Sequence, residues 1–191
     1  MIHPTAEVEA GARVGAGTRV WHYVHIRSGA IVGENCNIGY GAYIDAGAVI
    51  GNSVKLQNRV SVYRGVTLED GVFVGPNATF TNDKYPRSIT PQGEILSEED
   101  WQAAATFVLY GASIGAGAVV LPGITIGRWA MVGAGSLVTQ DVPEQGLVVG
   151  LPARHIGYVC LCGRPLKWQS DTKWKCPRCH ESYNFPEIRR D

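Results

Sequence analysis

The chain carries one large apolar residue every six positions, with small or polar residues between. From Ile2 to Phe80, fourteen such positions follow one another without an exception. The six-residue period breaks after Phe80, resumes at Val108 and continues to Val138. A period of six does not match the 3.6-residue period of an α-helix, but it suits a short strand followed by a tight turn. The pattern therefore predicts a repeating, all-β structure.

Small residues complete each hexad. A small or β-branched residue lies four positions after each apolar one, as at Ala12 and Ala30, and glycine often follows the apolar residue directly, as at Gly15 and Gly33. Three hexads would form one coil of a triangular prism, and coils stack at the strand spacing of about 4.8 Å. We expect a parallel β-solenoid with a continuous aliphatic core.

Residues 83–107 interrupt the repeat. This segment is polar, contains Pro86 and Pro91, and carries the acidic stretch Glu98–Asp100 before Trp101. Long loops inserted in compact scaffolds are typically functional. We interpret the insertion as a loop that reaches a neighbouring subunit and walls a pocket; the alternative is a surface insertion without a function.

Composition narrows the class of protein. The 191 residues hold 17 basic and 17 acidic side chains, so the formal charge is zero. A zero balance gives no support for nucleic acid or an anionic membrane as a partner. No apolar run approaches the roughly 20 residues of a membrane helix, and Met1–Pro4 lacks the features of a secretion signal. We expect a cytoplasmic protein.

The composition changes after Gly157. Residues 1–157 hold 10 basic and 13 acidic side chains, whereas residues 158–191 hold 7 basic and 4 acidic ones. Four of the five cysteines also lie in this tail. The sequence therefore predicts a solenoid domain over 1–157 and a small second unit over 158–191.

The tail cysteines have the spacing of a metal site. Cys160 and Cys162 are followed, thirteen residues later, by Cys176 and Cys179. Four thiolates suit a tetrahedral structural zinc ion, which would supply folding free energy to so short a segment. We expect a zinc-ribbon-like tail without a catalytic role. His180 is a possible substitute ligand, and disulfides are the alternative, although the first pair is one residue shorter than the usual CxxC.

Local motifs then identify a resemblance. The segments that carry it are Trp21–Ile26, Gln57–Tyr63, Leu68–Pro76, Phe80–Ser88, Leu121–Gly127 and Val149–Arg154. Together they resemble the hexapeptide-repeat nucleotide-sugar N-acetyltransferases of surface-polysaccharide biosynthesis, over about residues 2–154. The resemblance implies a left-handed parallel β-helix and a homotrimer with active sites between subunits.

The resemblance also implies a reaction. It implies acetyl transfer from acetyl-CoA to the 3-amino group of a nucleotide-linked sugar, with UDP-2-acetamido-3-amino-2,3-dideoxy-glucuronate as the first choice. Enzymes that acetylate dTDP-3-amino-3,6-dideoxyhexoses are similar over the same stretch and remain the alternative. The amine must be neutral to attack, and the thioester oxygen must be stabilised as charge develops.

Candidate site residues follow from the same motifs. Asn82, in Phe-Thr-Asn, is expected to hold the amine or the thioester carbonyl, and Asp83 to accept a proton or hold the ammonium form; both residue types are also common in turns. Arg87 would pair with a carboxylate or phosphate. The remaining substrate-binding candidates are His22, His25, Gln57, Asn58 and Tyr63, although the axial stripes that contain the histidines also suit a subunit interface. The thioester sulfur is a further possible proton acceptor.

Acetyl-CoA is expected along the C-terminal coils. The small residues Gly111, Ala112, Gly117 and Ala118 would leave room for a pantetheine arm, although the coil turns demand small residues as well. The resemblance implies that Arg154, in Leu-Pro-Ala-Arg, meets a CoA phosphate.

The sequence gives less support to three other functions. A γ-carbonic-anhydrase-like lyase needs three histidines around zinc, and none lies between His25 and His155. A sugar O-acetyltransferase would need a base beside Asn82, and none is obvious there. A non-catalytic scaffold is the alternative from a different class, and failure to bind acetyl-CoA would favour it.

Overall fold

The protein is a three-sided β-solenoid followed by a small sheet. The computed structural model describes residues 1–97 and 104–188. The acidic stretch 98–100 and Trp101 lie outside the described residues. No helix occurs within the two described ranges, and so none that is long and apolar enough to cross a membrane. The predicted all-β solenoid is confirmed.

Three sheets form the faces of the prism. The first face stacks Glu7–Val8, His25–Ile26, Tyr43–Ile44, Ser61–Val62, Thr79–Phe80, Val119–Val120 and Leu137–Val138. The second face stacks Arg13–Val14, Ile31–Val32, Val49–Ile50, Val66–Leu68, Thr106–Val108 and Thr125–Ile126. The third face stacks Arg19–Val20, Asn37–Ile38, Lys55–Leu56, Phe73–Val74, Ser113–Ile114, Met131–Val132, Gly146–Gly150 and Ala153–Tyr158, of which the last is antiparallel.

The insertion leaves the stacking register intact. Before it, stacked partners lie 18 residues apart, as in Thr67 against Val49. Across it they lie 40 residues apart, as in Thr67 against Phe107. One coil therefore contains 22 additional residues, and Phe80 still stacks on Val120. The loop leaves and re-enters the prism without displacing the core.

The repeated apolar residues point inward and form one core. Ile26, Ile44 and Phe80 are fully buried, and so are the small residues Ala48 and Ala78 at the turns. At the N-terminal end the core is less covered, since Ile2 is 49% exposed. Burial of one aliphatic side chain per short strand is the main stabilising contribution, because such short strands have little stability of their own.

The corners of the prism repeat a left-handed backbone. Positive φ recurs at steps of six residues, mostly at glycine, as at Gly11 and Gly29. Large side chains hold this conformation at four corner positions: Tyr23 (φ 56°), Arg59 (φ 58°), Trp129 (φ 55°) and Gln145 (φ 52°). Bulky residues seldom adopt positive φ, because their Cβ crowds the backbone.

The tail begins inside the last strand of the third face. The strand Ala153–Tyr158 runs through the boundary expected after Gly157 and pairs with Gly146–Gly150. Beyond it, Lys167–Ser170, Lys173–Lys175 and Ser182–Asn184 form an antiparallel sheet. A second hydrophobic cluster, separate from the prism core, contains Tyr158, Cys160, Leu166, Trp174 and Cys176.

Candidate active site

Asn82 lies where the insertion leaves the prism. It follows the strand Thr79–Phe80, at the corner between the first and second faces. The preceding residue is fixed, since Thr81 N–H and Oγ1 both donate to the Val120 carbonyl, at 3.0 and 3.2 Å. The Asn82 side chain is half-buried and makes no hydrogen bond to the described residues. Its amide is therefore held on a rigid support with both polar atoms available.

Asp83 and Arg87 begin the insertion. Asp83 Oδ1 accepts the Tyr85 N–H at 2.8 Å, which closes a turn at the start of the loop. Arg87 is exposed, and its Nη1 donates to the Pro86 carbonyl at 3.0 Å. Asp83 therefore closes a turn with one carboxylate oxygen, while its second carboxylate oxygen makes no hydrogen bond within the described chain.

A column of charged side chains lies below Asn82 on the same edge of the prism. Glu9, Arg27 and Asp45 follow one another at intervals of 18 residues. Arg27 lies between the two carboxylates, with Nε 3.4 Å from Glu9 and Nη1 3.5 Å from Asp45. His25 Nε2 lies 2.8 Å from Glu9 Oε1, and the Tyr43 hydroxyl donates to Asp45 Oδ1 at 3.1 Å. The column is a preorganised polar surface rather than a set of free ions.

The same contacts shift the pKa values of the column. The Ser28 N–H, followed by His25, lowers the pKa of Glu9. Burial raises the pKa of the Tyr43 hydroxyl, and the hydrogen bond to Asp45 adds to the rise, although Arg27 opposes it. Glu9 is therefore ionised and Tyr43 protonated at neutral pH.

Sequence reasoning missed Glu9, Arg27 and Asp45. A signal was present, because acid, base and acid alternate at the 18-residue interval of one coil. Opposite charges directly across parallel neighbours stabilise stacking, so this alternation predicts an ion-pair column.

The predicted histidines are not brought to Asn82. Three stacking steps separate His25 from Thr79, which is about 14 Å at ordinary strand spacing. His25 therefore cannot contact a group held by Asn82 of the same chain. His22 lies at another corner, stacked on His3 with ring centroids 3.5 Å apart.

The other substrate-binding candidates divide between the two corners. Tyr63 lies one coil before Thr81, next to Asn82, and its ring packs 5.6 Å from that of Tyr43. Asn58 lies at the corner of His22, and its Oδ1 accepts the Tyr40 N–H at 3.0 Å. Gln57 is half-buried beside it, with no side-chain bond to the described residues. Of this set, only Tyr63 lies close to Asn82.

The small residues of the C-terminal coils that were expected to leave room for acetyl-CoA have different surroundings. Ala112 and Ala118 have fully buried side chains, so only their backbone reaches the surface. A Cβ added at Gly111 would lie 2.7 Å from the indole ring of Trp129, whereas one added at Gly117 would meet nothing within 4 Å. Room for a pantetheine arm therefore exists at Gly117 and not at Gly111. Arg154 is exposed, with Nη1 3.4 Å from the Ala153 carbonyl.

The four tail cysteines converge. All four Sγ atoms lie within 4.8 Å of one another, with Cys160 3.4 Å from Cys179 and Cys162 3.6 Å from Cys176. Zn–S bonds of about 2.3 Å in a tetrahedron place sulfur atoms about 3.8 Å apart. The described thiols therefore fit a zinc ion.

Backbone donors favour thiolate at Cys176 of this cluster. The N–H groups of Arg178 and Cys179 point at Cys176 Sγ, at 3.4 and 3.5 Å. Burial alone would raise the pKa of Cys176, but these donors outweigh it and lower the pKa to about 6. A thiolate that accepts backbone N–H bonds is the form that a metal binds.

Comparison with protein families assigns the solenoid. It is the left-handed parallel β-helix of hexapeptide proteins, and the chain belongs to the hexapeptide-repeat transferase family. Residues 11–46 and 47–82 match the bacterial transferase hexapeptide family of six repeats. Residues 29–64 and 111–140 match the hexapeptide repeat of succinyl-transferase.

Two curated relatives match parts of the chain. A dTDP-3-amino-3,6-dideoxy-alpha-D-galactopyranose 3-N-acetyltransferase from Aneurinibacillus thermoaerophilus is 48% identical over 82 residues, which is 43% of this chain and 42% of the relative. Serine acetyltransferase from Escherichia coli is 37% identical over 120 residues, 55% of this chain and 43% of that protein. The chain thus spans less than half the length of these relatives.

Solved structures agree on the fold. A histidine-to-alanine mutant of GDP-perosamine N-acetyl transferase from Caulobacter crescentus, in complex with CoA and GDP-perosamine, superimposes with a TM-score of 0.51 at 27% identity. The match covers 82% of this chain and 55% of that one. The acetyltransferase domain of PglB from Neisseria gonorrhoeae matches with a TM-score of 0.51 at 21% identity, over 81% of this chain and 56% of that one, which supports the fold alone.

Proposed function

We propose that this chain transfers the acetyl group of acetyl-CoA to the 3-amino group of a nucleotide-linked amino sugar. The observation that carries the proposal is the Asn82 amide, which has no hydrogen-bond partner within residues 1–97 and 104–188 and is held at the rigid end of a strand where the insertion opens. Support comes from the Aneurinibacillus relative, whose name specifies this reaction on a dTDP-linked sugar. The CoA and GDP-perosamine bound to the Caulobacter enzyme support the same pair of substrates.

The chemistry requires positioning more than an activated side chain. The neutral amine attacks the thioester carbonyl, the C–N bond forms, the C–S bond breaks, and the amine proton leaves with the CoA thiolate as thiol. Asn82 Oδ1 would accept an N–H of the amine and so direct its lone pair, or Nδ2 would donate to the carbonyl oxygen. Asp83, whose second carboxylate oxygen makes no hydrogen bond within the described chain, would receive a proton on the way.

Two acceptors remain candidates for this site. The sequence motifs favour UDP-2-acetamido-3-amino-2,3-dideoxy-glucuronate, and the relative's name favours a dTDP-3-amino-3,6-dideoxyhexose. The uronate carries one additional carboxylate, which Arg87 at the start of the insertion is suited to bind. Dependence of the uronate KM on Arg87 would therefore separate the two.

We further infer a homotrimer with active sites between subunits. A single chain leaves Asn82 on an open edge, more than 10 Å from the nearest predicted histidine of the first coils by the strand spacing. A neighbouring copy would supply the second wall. Light scattering should then give about three times the chain mass of 20.6 kDa.

For the tail, we infer one structural zinc ion held by Cys160, Cys162, Cys176 and Cys179. The convergent thiols and the N–H donors around Cys176 support it. When bound, the ion would supply charge neutralisation and folding free energy, while the cysteines and their knuckle turns hold the three-stranded sheet in place.

The test is thiol release from acetyl-CoA with a panel of acceptors. The panel contains the UDP-linked amino-uronate, two dTDP-3-amino-dideoxyhexoses and a hydroxyl-bearing control. Asn82→Ala is compared with Asn184→Ala, which removes an exposed asparagine of the tail sheet. Turnover with an amine, lost only in Asn82→Ala, supports the proposal; no release with any amine rejects it.

A further inference from the structure

A pocket unrelated to Asn82 lies at the corner between the second and third faces. Its volume is about 320 Å³, and it is lined by Glu69, Asp70, Tyr110 and Arg128. Small-molecule sites begin at about this size. None of these four residues belongs to the site described above.

A strained aromatic residue outside the pocket's lining packs against Tyr110, which is one of the lining residues. Trp129, next to Arg128, holds φ at 55°, at a corner that carries glycine in the two preceding coils, Gly71 and Gly111. Its indole lies against Gly111, where a Cβ would stand 2.7 Å from the ring, and its edge meets the Tyr110 ring at 5.5 Å. Trp129 thus holds a left-handed backbone while its indole packs on Gly111 and Tyr110 outside the prism core, which makes the ring a candidate for a functional role.

The pocket also presents polar groups that lack partners. Glu69 Oε2 accepts the Tyr110 N–H at 2.7 Å, which leaves Oε1 available. The Arg128 guanidinium and the Tyr110 hydroxyl make no hydrogen bond or ion pair within residues 1–97 and 104–188. Asp70, by contrast, accepts two hydrogen bonds from Asn52, one from its backbone N–H at 2.7 Å and one from Nδ2 at 3.3 Å. One cation, one acceptor oxygen and an aromatic edge therefore face the same space.

We propose that this corner pocket binds an adenine nucleotide. Arg128 would pair with a phosphate, Glu69 Oε1 would accept the exocyclic amine of the base, and the Tyr110–Trp129 pair would pack against the ring. A carboxylate favours adenine over uracil or thymine, because the carbonyl oxygens that flank the pyrimidine N–H would face its negative charge. The choice of adenine rests on the proposed function, since acetyl-CoA carries adenine. The availability of the polar groups in the pocket does not depend on that function.

Calorimetric titration of the full chain with AMP and with IMP tests the assignment. IMP has a carbonyl where AMP has its amine, so the wild type should bind AMP about 10-fold more tightly. Glu69→Gln should remove or invert this preference, because the Gln amide keeps the Tyr110 bond through oxygen and presents an N–H donor to the base. Arg128→Gln should weaken both nucleotides by about 10-fold, since it removes a charge-assisted contact.

Variants at Trp129 separate binding from folding. Trp129→Gly removes the ring and the backbone strain together, so it should bind AMP at least about 10-fold more weakly while the melting temperature stays close to wild type. Arg59→Gln, at a different corner, is the matched control and should bind normally. Equal affinity for AMP and IMP, binding that survives Trp129→Gly and Arg128→Gln, or no binding of AMP overturns the proposal.

Competition identifies the source of the nucleotide. If 3′,5′-ADP displaces acetyl-CoA and Trp129→Gly raises only the KM for acetyl-CoA, the pocket holds the acyl donor. If AMP binds without displacing acetyl-CoA, the pocket is a separate nucleotide site, and the assignment stands. Nucleotide binding requires no turnover, so a failure of the acetylation assay leaves this test intact.

Discussion

Gln145 and Val159 bond to each other twice. The Val159 N–H donates to the Gln145 carbonyl at 2.8 Å, and Gln145 Nε2 donates to the Val159 carbonyl at 2.8 Å. Gln145 is only 7% exposed, so water does not compete for these groups. Because Cys160 follows directly, this buried pair attaches the cysteine-bearing tail to the last coil of the prism.

Gln145→Ala should weaken that attachment. The Val159 carbonyl would lose its side-chain donor in a buried position, which costs about 1–3 kcal/mol in the free energy of unfolding. Denaturant titration measures the change, with the exposed Gln140→Ala as control. A variant as stable as wild type would show that the second hydrogen bond contributes nothing to docking.

Removing the metal should unfold the tail, while the solenoid should stay folded. Metal analysis should give one zinc per chain, and Cys176→Ser should lose it, because thiolate ligands hold the ion. Cys36→Ser is the control, since Cys36 is buried in the prism and its Sγ donates to the Gly51 carbonyl at 3.1 Å. Full zinc content in Cys176→Ser, or none in the wild type, would contradict the assignment.

Stability should fall on mild acidification because of His155. Burial lowers the pKa of this histidine below its ordinary 6.5, and its Nε2 is buried with no hydrogen-bond partner among the described residues. The unfolded chain therefore binds the proton more readily than the folded one. The contribution of His155 is complete above the unfolded value and is lost as pH falls towards the folded pKa.

Melting temperatures between about pH 8 and pH 5 measure this effect. His155→Phe, which keeps an aromatic ring beside Tyr158, should flatten the acid limb of the profile. An acid limb of equal slope in His155→Phe and wild type would assign the loss to other groups.

Gly111 and Trp129 should show strong energetic coupling. Gly111→Ala forces a Cβ to 2.7 Å from the indole and strains a backbone with φ at 70°. Its cost should exceed that of Gly117→Ala, where φ is 65° but the space is open, by about 1 kcal/mol or more. In a Trp129→Gly background the two alanine variants should become similar, which denaturant melts of the full cycle would measure.

Two substitutions separate the roles of Asp83. Asp83→Asn keeps an oxygen that accepts the Tyr85 N–H but removes the negative charge. If the carboxylate receives a proton, kcat should fall by about 10²-fold or more in both Asp83→Asn and Asp83→Ala. If Asp83 only closes the turn, Asp83→Asn should retain activity and Asp83→Ala should lose thermal stability instead.

The fold was predictable because the same six-residue pattern of apolar and small residues repeats along the chain. Each of Ile26, Ile44 and Phe80 occupies the same inward position, so a single period specified strand, turn and stacking together. Even the 22 additional residues of the insertion were visible, since Val108 resumes the period that Phe80 ends. The cysteine spacing likewise indicated a cluster, because knuckle turns bring such pairs together locally.

The candidate site was only partly predictable. Asn82 was identified by its motif, but the ion-pair column of Glu9, Arg27 and Asp45 was not, because each residue alone is an ordinary surface charge. The indole beside Gly111 was not predictable either, since it comes from Trp129, one coil later.

The sequence by itself determined the solenoid, its inward face and the place of its interruption, because these depend on a short-range period of apolar and small residues. The tertiary structure decided which side chains meet across coils: that Arg27 lies between two carboxylates, that Asn82 meets no partner among the described residues, and that an indole covers Gly111. Those contacts join residues 18 apart in sequence and one strand spacing apart in space. They depend on the conformation of each corner, which the period alone does not specify.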